Sequence, residues 1–220
     1  GERIQFINVN VRFRAEPGSP FHRSVESHKS HSILSSTKIA SLPHPESGAL
    51  LANMSELFLY DLERISMKSQ GIYSFDKKDS YFKGLKSFPL NTEIELALHF
   101  KGKKPVYIYT LPHSSSMVST YHISLSAIQK TNYVPRLSDD RVGHFVTMYQ
   151  DYSDILKDSP YIRYVNRWHL EKKHPKLKIS EPKKPIIYWI ENTVPYELRD
   201  AVREGILGWN QAFEAAGFKN

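Results

Sequence analysis

Over residues 4–13 apolar and polar positions alternate, with a change of phase at Ile7 and Asn8 that predicts a bulged or two-faced strand. Ile33, Thr37 and Ile39 in HSILSSTKIASL alternate more weakly, after a polar stretch rich in serine and histidine. The period then changes. In NMSELFLYDLERI, Met54, Leu57, Phe58, Leu62 and Ile65 recur at helical spacing behind Ser55 as a cap, which predicts a short amphipathic helix. NTEIELALHF alternates strictly, with Ile94, Leu96, Leu98 and Phe100 on one face and Glu93, Glu95 and His99 on the other, the pattern of a half-buried strand. The KGKKP turn, VYIYTL and the alternating Tyr121, Ile123 and Leu125 extend this strand into an antiparallel meander, and RVGHFVTMYQDYS adds a further extended stretch.

Beyond EKKHPKLKISEPKKP the grammar differs. PIIYWI is a short, almost continuously apolar run rich in β-branched and aromatic residues, as in a strand buried on both faces. Pro195 then opens a helix in which Leu198, Val202, Ile206, Trp209 and Phe213 repeat at three and four, and Gly217 closes it as a C-cap with Phe218 folded back. A stripe of that length needs several strands beneath it, more than PIIYWI supplies. The expected fold class is α+β: a mainly antiparallel β domain over residues 1–166, a linker over 167–184, and one strand and one long helix over 185–220.

Composition narrows the chemistry. The chain of 220 residues contains no cysteine, which excludes disulfides, thiolate zinc sites, iron–sulfur clusters and cysteine nucleophiles. Its formal charge of +7 invites a nucleic-acid reading, but the densest lysine cluster, Lys172 to Lys184, is broken by glutamates and prolines and no recognition motif accompanies it. No nucleic acid is expected as a partner. No apolar run reaches membrane-spanning length, so no transmembrane segment is expected. The strand pattern begins almost at the first residue, which reads as a chain cut from a longer precursor.

Four chelating groups, His22, Glu26, His28 and His31, lie within ten residues in FHRSVESHKSH, yet the segment has few apolar residues to hold a site rigid. His169 and His174 in WHLEKKHP sit five apart, on different faces of any helix, and Pro175 forces His174 to be extended. His144 reads as a sheet histidine. Phe145, Tyr149, Tyr152, Tyr161, Tyr164 and Trp168 form an aromatic-rich stretch that suits either a sheet core or a groove for a peptide or a neighbouring domain. There is no G-x-S-x-G and no glycine-rich phosphate loop.

The stretches SFPLNTEIELAL, RVGHFVTMYQDYS, YVNRWHLEKKHP and SEPKKPIIYWIENTVPYELRDAVREGILGWNQAFEAAGFKN, with PHPESGALLANMSELFLYDL, resemble the amino-terminal half of large bacterial zinc-dependent metalloproteases of metzincin-like type. Ile186, Tyr188 and Ile190, then ENTVP, then LRDAVREGILGWNQAF match the first strand, turn and helix of such a zincin-type domain. The resemblance implies a β-rich accessory domain of unknown function ahead of a peptidase domain, zinc in the parent protein, the downstream catalytic domain and peptide or protein substrates as partners, and a secreted, periplasmic or cell-envelope location. The H-E-x-x-H motif that binds zinc and activates water is absent from these residues. The chain itself is therefore expected to be inactive and to bind no zinc, and no residue is assigned a catalytic, cofactor-binding or metal-ligating role. The alternative is a non-enzymatic protein-binding or scaffold module.

Overall fold

The computed structural model describes residues 2–103 and 107–219. The chain forms two compact units, one of Gly1–Asn132 with Met148–Ile162 and one of Tyr133–Thr147 with Arg163–Asn220. It is mixed α+β with mostly antiparallel sheets and few helices, as the alternating patterns predict.

In the first unit, β1 (Arg3–Asn8) pairs antiparallel with β3 (Ser32–Lys38), and the register shifts between Phe6 and Ile7, at the predicted change of phase. A second strand, β2 (Phe13–Arg14), pairs parallel with β7 (Val146–Asp151), which is followed in the sheet by β8 (Tyr161–Val165). The larger sheet has the order β4 (Tyr73–Ser87), β5 (Asn91–Gly102), β6 (Ser116–Ser126), all antiparallel. Its central strand is NTEIELALHF. Ile94, Leu96, Leu98 and Phe100 are fully buried, with Leu57 and Phe58 in the same core and Phe6 ring-packed on Phe58 at 5.0 Å.

Three expectations are corrected here. The helix read through Ile65 is two short ones, α2 (Met54–Phe58) and α3 (Ile65–Lys68). Asn53, not Ser55, caps the first, its side chain accepting from Ser55 N at 3.0 Å; the Asp61 carboxylate accepts from Ile65 N and Ser66 N and starts the second. VYIYTL is not a strand where it is described: Val106 lies outside the described residues and residues 107–111 carry a turn. The true third strand of the meander is β4, which four lysines and two register shifts had hidden from a period-two reading.

In the second unit, residues 167–184, expected as a linker, fold into a hydrogen-bonded loop. Lys173 N donates to Glu181 O, Lys183 N to Glu171 O, and fully buried Ser180 accepts from His174 N through its hydroxyl at 2.9 Å. PIIYWI is not a strand, because among the described residues no chain lies alongside to share its backbone hydrogen bonds. The single long helix is interrupted. α4 (Tyr196–Leu207) begins after Pro195 as expected, but Gly205 and Gly208 weaken helix propensity, Trp209 N bonds back only three residues to Ile206 O, and α5 (Asn210–Ala215) follows.

Its end follows the sequence reading closely. Gly217 adopts φ of +92°, its N–H donates to Glu214 O at 2.9 Å, and Phe218 N donates to Phe213 O at 2.8 Å, the paired bonds of a Schellman motif.

Candidate functional site

An apolar cleft lies within the second unit, formed by residues 186–190 and helices α4 and α5. Its cavity of about 760 Å³ is lined by Trp168, Ile186, Tyr188, Ile206, Trp209 and Phe213 among others, with Arg203, Asn210 and Lys219 as polar groups. Of the stripe predicted to be buried, Ile206, Trp209 and Phe213 line this cleft, and Leu198 and Val202 lie outside it. Leu198 and Trp209 are exposed, Trp209 at 69%, as are Ile187, Tyr188 and Trp189. No backbone hydrogen bond within the described residues engages 186–190. Apolar side chains and unpaired backbone together define a surface suited to receiving a strand and an apolar partner.

The first unit holds the closest gathering of metal-type ligands among the described residues: Asp76, Asp79 and His99, whose ligand atoms lie within 4.8 Å of one another. On a regular strand, residues three apart face opposite ways. Here the register of β4 shifts between Asp76 and Tyr81, and the bulge turns both carboxylates toward His99 on β5. His99 is buried; its Nδ1 is 3.1 Å from Asp76 Oδ2 and 3.7 Å from Asp79 Oδ2, and its Nε2 is 2.9 Å from Ser116 Oγ. The Lys101 ammonium ion-pairs with Asp76 and stands 3.5 Å from Asp79 Oδ2, so the cationic position is filled by the chain's own charge. These residues do not fit the catalytic zinc of a zincin, which two histidines one helical turn apart would bind. The cluster reads as a structural clasp that closes the bulge.

That clasp carries a pH dependence. The Lys101 ammonium, and after it the hydrogen bond with His99, holds the Asp76 carboxyl well below the usual carboxylate range, and Asp76 in turn raises Lys101. A carboxylate whose folded pKa is depressed stabilises the fold above its ordinary value of about 3.9 and loses that contribution as pH falls below it. Asp76→Asn is therefore expected to lower stability at neutral pH and to flatten the decline between about pH 5 and pH 2. Urea midpoints across pH measure this; parallel acid limbs in the variant and the native chain would refute it.

The sequence-derived candidates are dispersed. His22 Nδ1 meets Ala15 O, His28 Nδ1 meets Ser24 O, His31 Nδ1 accepts from Asn10 N and Glu26 pairs with Lys29, so the four never converge. Helix α1 (His22–His28) fans His22, Glu26 and His28 around its axis, and His31 lies beyond its end. His169 stacks edge-on against Tyr133 at 5.3 Å, and Glu171 pairs with Lys183. His144 is exposed ahead of β7, a correction to its reading as a sheet histidine. The aromatic stretch divides: Tyr149 stacks under Arg14 and Tyr152 on Phe21 in the first unit, while Trp168 belongs to the cleft of the second. Asp76, Asp79 and Lys101 had no signal in the sequence, because only the bulge brings them together.

A family model described as a domain of unknown function, DUF5117, matches residues 2–173. The chain belongs to that family. The match takes in the β4–β5–β6 sheet and the clasp and stops short of the 186–190 segment, α4 and α5 that form most of the cleft. No curated protein and no solved structure matches the DUF5117 chain. No helix among its described residues is long and apolar enough to cross a membrane.

Proposed function

We propose that this DUF5117 chain is the accessory region of a secreted or envelope-associated zinc-dependent metalloendopeptidase, and that its second unit docks the strands of the peptidase domain. One observation carries the reading. Residues 186–190 are apolar and without ladder partners, beside helices α4 and α5, where Ile206, Trp209 and Phe213 line a cleft. An apolar segment with free N–H and C=O groups asks for strands to pair with, and a helix stripe of this kind asks for a sheet to lie on. The occupant with both properties is the sheet of the domain that the resemblance of IIYWIENTVPYELRDAVREGILGWNQAF implies. Zinc and the hydrolytic groups would belong to that partner domain, since H-E-x-x-H is absent here.

The test is to express the gene product with the residues downstream of this chain. Residues 186–190 and 198–213 should gain protection from hydrogen exchange, one zinc should bind per chain, and peptide hydrolysis should vanish on a glutamate-to-glutamine change in the zinc motif. A gene without such a motif would overturn the reading in favour of a non-enzymatic binding or scaffold module.

Trp209 separates stability from docking. Because its ring is largely exposed, Trp209→Ala should change the stability of the present chain by less than about 0.5 kcal/mol. In the longer protein the same change should abolish the protection over 186–190. A large loss of stability in the present chain would place the ring in a core instead.

A further inference from the structure

The two edges of the β4–β5–β6 sheet are built differently. β4 carries Asp76, Lys77, Lys78, Asp79, Lys83 and Lys86 and is bulged twice, the features that keep an edge from pairing with a stranger. β6, SMVSTYHISLS, has eleven residues with no lysine, arginine, aspartate, glutamate or proline, and its register with β5 runs unbroken from Ser116 to Ser126. Among the described residues no strand pairs with its far side.

The direction of its free backbone groups can be assigned. Ala127 N donates to Leu90 O at one end of the ladder and Gly102 N donates to Ser115 O at the other, both at 2.8 Å. In an antiparallel pair the hydrogen-bonded positions alternate, so the odd-numbered residues of β6 bond to β5. Val118, Thr120, His122, Ser124 and Ser126 therefore turn their N–H and C=O groups outward, while Ser116 N–H closes a turn on His113 O at 3.2 Å. On the core face, Met117, Tyr121, Ile123 and Leu125 are only half buried, and a further strand would cover them.

We propose that β6 is the pairing edge for a second copy of this chain, continuing the sheet antiparallel across a twofold axis at Tyr121. The inference is independent of the docking proposed for the second unit. The strand is self-complementary about that centre. Thr120 falls opposite His122 and Val118 opposite Ser124, outward-bonding residues matched with outward-bonding residues. On the core face Met117 meets Leu125, Ser119 meets Ile123, and Tyr121 meets its own copy. No acidic or lysine/arginine pair of like sign is brought together, although the chain carries a net +7. An edge as charged as β4 would repel itself in the same arrangement.

Sedimentation equilibrium over a range of concentrations should give a mass rising from 25.5 kDa to twice that value. V118K/S124K places like charges opposite one another on the exposed face and should weaken association at least about tenfold, the effect of roughly 1.4 kcal/mol spread over two symmetric pairs. V118K/S124E places opposite charges there and should restore it. T120P removes an outward N–H without touching the β5 ladder and should leave a monomer whose far-UV spectrum matches the native one. A native chain that stays monomeric throughout, including one that instead binds an extended peptide along β6, overturns the proposal. So does a V118K/S124K variant that associates as tightly as the native chain, or a V118K/S124E variant no tighter than V118K/S124K.

Discussion

Phe100→Ala is expected to lower the stability of the first unit by about 3 to 5 kcal/mol, the range for removing a fully buried ring whose surroundings cannot collapse. Phe100 is 0% exposed on the central strand, flanked by β4 on one side and β6 on the other, and its ring meets Phe75 edge-on at 5.9 Å. Both neighbours are fixed by backbone ladders, so the cavity would persist instead of filling. All three tryptophans, Trp168, Trp189 and Trp209, lie in the second unit, so the first must be followed by far-UV circular dichroism rather than indole fluorescence. Urea titration gives the value directly. A loss below about 1 kcal/mol would mean that the β5 face is not the core.

Gly217→Ala is the largest effect expected in the second unit, about 2 kcal/mol or more, from two causes that act together. The left-handed backbone at φ of +92° costs an L side chain roughly 1 to 2 kcal/mol. A Cβ there would also lie 2.9 Å from Lys178 O, a main-chain atom that cannot step aside, and 2.9 Å from Lys172 Nζ, which can. Lys178 is held because the neighbouring Ser180 N donates to Gly217 O and Ser180 O accepts from Lys219 N. Gly48→Ala is the control: φ is +69°, yet nothing lies within 4 Å of its added Cβ, so only the backbone cost should appear. Tryptophan fluorescence during urea unfolding reads the first variant and circular dichroism the second. Equal losses in the two would show that the contact with Lys178 is relieved at no cost.

Both predictions concern residues that were legible in advance, and for a shared reason. The period of two in NTEIELALHF and the glycine after a helical repeat are local signals, set by the strand pleat and by the conformational freedom of a residue without Cβ. The bulge in β1 was equally local, since the phase change at Ile7 is written in the order of residues. By contrast, β4 contains the clasp, and its lysines break the alternation that would mark it as a strand. PIIYWI failed in the opposite sense. Its composition is that of an interior strand, but a strand is a relation between chains, and the described residues provide no second chain beside it.

The sequence by itself determined the α+β class, the core face of β5, the Schellman end of α5, and the absence of H-E-x-x-H and of every thiol-based chemistry. Each depends on residue identity or on spacing within one element. Only the tertiary structure decided that Asp76, Asp79, His99 and Lys101 meet, that residues 167–184 fold into a hydrogen-bonded loop, and that Ile206, Trp209 and Phe213 border a cleft. It likewise decided that β4 and β6 are the two edges of their sheet, with β5 between them. These are facts about which segments lie side by side, and they follow from bulges, ladders and packing between elements distant in the chain, where a local pattern holds no information.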